Sequence, residues 1–192
     1  MTDQAISEKI ISAELSGDKS FWKHAGDFFM LFYHRFKSTP FAGIPDIAFM
    51  HMELNNWHGM SVRCGVWQYY ESGAFQKGKF ERVLSFLRAT GEEQMADVYA
   101  CGIHDYANER YQKGSDYPEE WFRETEKVDE WISDHEEYIY KWMYHLILEH
   151  KNEVLRLGKI SLQEKITADG AVRGGQCPVP AFPERNIQGE TM

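Results

Sequence analysis

The sequence predicts an all-α fold: a single helical domain of about seven helices, one long acidic helix near its C-terminal end, and an irregular tail. Three observations carry this. Apolar residues recur at three- and four-residue spacing in segment after segment, the period of one helix face. Glycines and prolines stand at most of the junctions between those segments. No stretch of any length alternates apolar with polar residues as a half-buried strand would.

The elements follow in order. Ile6, Ile10, Ile11 and Leu15 share one face of a short helix over residues 5–15, ended by Gly17. Ser20 is placed to cap a second helix running to about Lys37, where Phe21, Phe28, Phe29, Phe32 and Phe36 mark a core face and Pro40 closes the segment. Pro45 suits the first residue of a third helix carrying Ile47, Ala48, Met50 and Leu54. Asn55-Asn56-Trp57-His58-Gly59 reads as a turn, with a fourth helix following through Tyr70 and stopping at Ser72-Gly73. Phe80, Val83, Leu84 and Leu87 form the next helical face, ended by Gly91. Met95, Val98, Tyr99 and Ile103 predict another helix toward Tyr111, weakened in its middle by Gly102.

The last helix is expected to start near Asp116 or Tyr117, with Pro118 in its first turn, and to continue to about Leu157 unless it kinks. Trp121, Val128, His135 and Trp142 recur every seven residues, flanked by Ile132, Ile139 and Leu146. This near-heptad stripe would also allow the helix to pair with a second copy of itself as a homodimer. After Gly158 the periodicity stops and three of the six prolines cluster with several glycines. The predicted organisation is therefore a helical domain over 1–157 and a Gly/Pro-rich tail or arm over 158–192.

Charge is distributed unevenly along this plan. Residues 116–137 hold ten acids against two bases, a net charge of −8, while the whole chain of 192 residues carries −9. Glu126, Glu130, Asp134 and Glu137 follow at +4, +4 and +3 along one stripe, with Asp129 and Glu136 in a second row. Acids in the first helical turn, Glu119 and Glu120, complement the helix dipole. The later ones have no such local reason, since like charges one turn apart cost a few tenths of a kcal/mol each. Two readings stand: a well-solvated helix face, or a row of carboxylates presented to lysines and arginines of a partner.

Composition bounds the rest. An apolar fraction of 43% with 15% aromatics is that of a folded domain rather than a disordered chain. The net charge of −9 disfavours direct nucleic-acid binding, because phosphates are repelled. The longest apolar run, Phe28 to Tyr33, is far short of the roughly 20 residues that cross a bilayer, so no membrane association is expected. The N-terminus lacks the basic-then-apolar order of a signal peptide. Cys64, Cys101 and Cys177 form no CxxC, a usage that suits a reducing, cytoplasmic compartment.

Catalytic and metal motifs are sparse. There is no Glu-x-x-His pair, no His-Glu-x-x-His, no Gly-x-Ser-x-Gly elbow and no phosphate loop. His51/Glu53/His58 and His145/Glu149/His150 are the groups that a metal would use, set against ordinary structural or surface histidines. No cofactor is implied, and nothing in the pattern asks for an enzyme.

The middle of the chain adds a resemblance. Gly65-Val66-Trp67-Gln68-Tyr69-Tyr70-Glu71-Ser72-Gly73, then Leu84-Ser85-Phe86-Leu87-Arg88-Ala89-Thr90-Gly91-Glu92 and Met95-Ala96, is similar to a bacterial helical family. That family has an Asn-Gly-Gly-aromatic-x-Gln-aromatic-aromatic core and includes the neisserial DNA-mimic protein. The resemblance covers about residues 53–105 and retains Gly65, Gln68, Tyr69, Tyr70, Gly73 and Gly91 in kind. Arg63-Cys64 stands where the family has Asn-Gly, and Glu71 where it has a later Asn. The resemblance implies an acidic, dimeric, all-helical protein that occupies the DNA-binding face of a basic protein. On this reading Glu126, Asp129, Glu130, Asp134, Glu136 and Glu137 are the partner-binding carboxylates. An immunity protein covering the basic active site of a bacterial toxin, or a His/Glu metal-binding helical protein, is the alternative expectation.

Overall fold

The structure is a computed structural model and describes residues 21–111 and 116–157. Among these residues the fold is all-α, with no strand. The helices are α1 (Phe21–Phe36), α2 (Asp46–Cys64), α3 (Trp67–Gly73), α4 (Lys79–Ala89), α5 (Glu93–Cys101), α6 (Glu119–Asp134) and α7 (Glu136–Glu149), with a 3-10 turn at Phe41–Gly43. Helical backbone resumes over residues 151–157. The predicted helix at 5–15, the Ser20 cap and the tail at 158–192 lie outside the described residues. None of the described helices is long and apolar enough to cross a membrane.

α2 is the axis of the domain and packs against α1, α3, α4, α6 and α7. Its sequence explains the position: Ile47, Ala48, Phe49, Met50, His51, Met52, Leu54, Trp57 and His58 are all buried, which surrounds its first half with core. A helix apolar on every side is one that neighbours enclose. Pro45 stands just before its first turn, and Asp46 puts a carboxylate at the positive end of the dipole.

The expected turn at Asn55–Gly59 is not formed; α2 runs through it to Cys64. Trp57 is fully buried and donates its indole N–H to the Tyr70 hydroxyl at 2.8 Å. Continuing the helical register from Leu54 is what carries Trp57 and His58 inward, and their burial outweighs the weak helix propensities of two asparagines and a glycine. The chain turns instead at Gly65, whose φ of 91° only glycine adopts readily.

The long C-terminal helix divides at His135, where φ −117° and ψ 18° leave the helical region. The His135 ring stacks on Trp131 with centroids 4.3 Å apart, and its Nδ1 lies 2.9 Å from the Trp131 carbonyl oxygen. A second interruption follows at His150. Val128 of the seven-residue stripe and the flanking Ile132, Ile139 and Leu146 are buried in the chain's own core.

The helix expected to reach Tyr111 ends at Cys101, with Gly102 as its C-cap. A Cβ on Gly102 would lie 2.1 Å from the Tyr70 ring. The segment beyond is irregular, held by Tyr106, Tyr117 and Trp121 packed ring against ring at 5.0–5.7 Å.

Candidate functional site

The residues of the Gly65–Gly91 motif build a junction rather than a surface. Gly65 turns the chain, and Gln68 stands half-buried on α3. The Tyr69 hydroxyl, fully enclosed, lies 2.8 Å from Glu53 Oε2 and 2.7 Å from the Tyr99 hydroxyl. Tyr70 donates to the Tyr99 carbonyl at 2.9 Å while accepting from Trp57. Burial holds all three tyrosines well above the ordinary phenol pKa, so they act as neutral hydrogen-bonding groups. Lys79, 6% exposed, closes the network with a 2.8 Å ion pair to Glu53. Gly73 admits the Phe80 ring, which a Cβ would meet at 2.7 Å. Gly91, at φ 81°, ends α4 in a paired cap: Glu92 N–H donates to the Leu87 carbonyl and Gly91 N–H to that of Arg88.

The six predicted carboxylates separate into two groups. Glu126, Glu130 and Asp134 lie exposed along the outer side of α6, and Glu137 lies exposed at the start of α7. Glu137 pairs with Lys141 at 2.6 Å, as Glu119 does with Arg123 at the other end of the face. Asp129, half-buried, and Glu136, about half exposed, instead bond to groups elsewhere in the fold. Asp129 accepts the Val66 backbone N–H at 3.0 and 3.3 Å, joining α6 to the start of α3. Burial raises its pKa above the ordinary carboxylate value, opposed by hydrogen bonds from Ser61 and from Val66. Glu136 Oε1 lies 2.8 Å from His58 Nε2, and the Tyr140 hydroxyl lies 3.2 Å from His58 Nδ1. The two contacts fit the tautomer with its proton on Nε2, which donates to Glu136 while Nδ1 accepts from Tyr140.

These groups line a cleft of about 370 Å³ between α2 and the α6–α7 joint. Asp129, Ser133 and Glu136 come from one side, and His58 and Ser61 from the other, with Val62 and Ile132 as apolar walls. Ser61 and Ser133 were not among the residues selected from the sequence, and His58 was selected only as a candidate metal ligand. Their signal is helical spacing: His58 and Ser61 are three apart on α2, while Asp129, Ser133 and Glu136 follow at +4 and +3. It becomes visible once α2 is read as continuous past Gly59.

The histidine groups do not converge. His51 is wedged between Phe28 and Phe32 with its Nδ1 unpaired, and burial lowers its pKa to about 3. Glu53 points to Lys79, and His58 to Glu136. His145, Glu149 and His150 are exposed. Among the described residues no group of three His, Cys, Asp or Glu side chains is arranged to hold a metal ion. Cys64 and Cys101 are exposed free thiols. No protein-family model matches the chain, and comparison with curated proteins and with solved structures finds no significant match either.

Proposed function

We propose that the chain is a non-catalytic acidic binding protein whose α6 face occupies the basic surface of a DNA-binding protein. The observation that carries this reading is the Glu126–Glu130–Asp134 row, exposed on a helix whose opposite side is fixed to the core through Val128, Ile132 and the Asp129–Val66 bond. A row held in one orientation meets a basic surface without first losing the freedom of a mobile segment. The three carboxylates rise about 6 Å per step along the axis. DNA carries one charge per about 1.7 Å, so this row supplies part of such a surface, extended by Glu119 and Glu120 at one end and Glu137 at the other. The resemblance of residues 53–105 to the family with the neisserial DNA-mimic protein supports the same reading.

The test is displacement. Purified DNA-binding domains, each loaded with its fluorescent duplex, are titrated with the protein and with a Glu126→Gln/Glu130→Gln/Asp134→Asn variant. The protein releases DNA from at least one domain, and the variant needs about tenfold more, since exposed charge pairs contribute roughly 0.2–1 kcal/mol each. Failure to displace any duplex, or equal potency of the variant, contradicts the reading.

A further inference from the structure

We propose that the pocket between α1, the Phe41–Gly43 turn and α2 binds a neutral planar heteroaromatic molecule of the nucleobase class. Its volume of about 360 Å³ falls among those of small-ligand sites. Its walls are aromatic and come from three segments: Phe29 and Tyr33 of α1, stacked at 5.9 Å with 13° between their planes, Phe41 of the turn, and Phe49 of α2. The turn is held from α4. Arg82 donates to the carbonyls of Phe41 and Ile44 at 2.5 and 2.6 Å, and its guanidinium lies over the Phe49 ring at 4.1 Å. The walls are therefore fixed before a ligand arrives. No residue of α6 lines this pocket, so the inference stands apart from the binding role of the α6 face.

The polar groups decide the chemistry of the ligand. Glu53 lines the pocket and is held through Oε2, which accepts from Lys79 and from the Tyr69 hydroxyl, each at 2.8 Å. Its Oε1 makes no hydrogen bond among the described residues. Asn56, half-buried and three residues further along α2, also lines the pocket, and among the described residues its side-chain amide is likewise unbonded. An acceptor beside an amide that both donates and accepts complements a ring edge where an N–H stands next to a carbonyl or ring nitrogen, as on every nucleobase. Charge sets a cation aside: Lys79 already balances Glu53, and no other carboxylate lines the pocket. A purely apolar occupant would leave the Glu53 oxygen and the Asn56 amide without partners, a cost that a base edge removes. The flat faces of the same molecule stack on the phenylalanine and tyrosine rings. A buried ion pair adds little stability by itself, and here it orients the carboxylate that meets the base.

The test uses the full chain, with NMR following the Asn56 side-chain amide and the Tyr33 and Phe41 rings. Guanosine, adenosine, cytidine and uridine are titrated separately against two planar controls: caffeine, a purine with no N–H donor, and the cation benzamidinium. At least one nucleoside shifts these signals saturably and binds at least fivefold more tightly than either control. Asn56→Leu, which keeps the size of the side chain, weakens that nucleoside at least fivefold. Tyr33→Ala, on the exposed rim, removes part of a wall without touching the core and weakens it at least threefold. Absence of a saturable shift with every nucleoside overturns the inference. So does caffeine binding as tightly, which marks a stacking slot indifferent to the base edge, or benzamidinium binding more tightly, which marks a cation site. Unchanged affinity in both variants overturns it as well. None of these outcomes bears on DNA displacement by the α6 face, so the two proposals fail separately.

Discussion

Asp129 accepts the backbone N–H of Val66 across 63 residues of sequence, tying the acidic helix to the turn that begins α3. One of the carboxylates on α6 is therefore spent on orientation. Asp129→Ala leaves the N–H of a fully buried residue without an acceptor and is expected to cost about 1–3 kcal/mol in urea unfolding. Asp129→Asn retains an acceptor oxygen and costs less. The pH dependence has a definite sign. Burial raises the Asp129 pKa above 3.8, so the folded state holds this proton more tightly, and its contribution to stability falls as pH rises through the raised value. Asp129→Asn removes that slope.

His51 acts in the opposite direction. Its pKa falls from 6.5 to about 3 on folding, so the unfolded chain binds the proton more readily. The contribution is fully present above pH 6.5 and is lost as pH falls toward 3, by about 1.4 kcal/mol per pH unit within that window. His51→Leu removes the ring and its unpaired Nδ1, and is expected to flatten the acid limb of the urea-midpoint profile while leaving stability at pH 7 within about 1.5 kcal/mol.

The Lys79–Glu53 pair predicts a non-additive cycle. The two side chains are 7% and 12% exposed, so Lys79→Met strands a buried carboxylate and should cost about 3–5 kcal/mol. Adding Glu53→Gln removes that charge and preserves an acceptor for Tyr69, and the double variant should recover part of the loss. Equilibrium unfolding of the four proteins measures the coupling.

Two glycines differ in why they are required. Gly102→Ala drives a methyl into the Tyr70 ring and is expected to cost at least 1–3 kcal/mol, roughly the cost of overpacking, with altered tyrosine absorbance. Gly91→Ala meets no atom within 4 Å but must hold φ near 81°, a penalty of about 1–2 kcal/mol with the core intact. Thermal unfolding alongside near-ultraviolet circular dichroism separates the two.

Helix periodicity made the all-α fold legible, and the faces of α1 and α4 follow their apolar spacing closely. Boundaries set by local chemistry were also visible, as at Gly91. Those set by tertiary packing were not. Asn55–Gly59 has the composition of a turn, yet Trp57 needs the helix to reach Tyr70. The apolar stripe through His135 continues across a backbone break because α6 and α7 cover successive parts of the same core. The acidic row was legible as spacing, but the members that bond elsewhere in the fold were not, because the partners of Asp129 and Glu136 lie 63 and 78 residues away. The cleft is formed by that same long-range pairing.

The most direct measurement of the central claim is the salt dependence of binding to a DNA-binding domain that the protein displaces from DNA. The account predicts that affinity falls steeply as salt rises, and that changing Glu126, Glu130 and Asp134 to their amides makes the dependence shallower and weakens binding about tenfold at low salt. An affinity indifferent to salt, or a slope unchanged by removing the three charges, would contradict it.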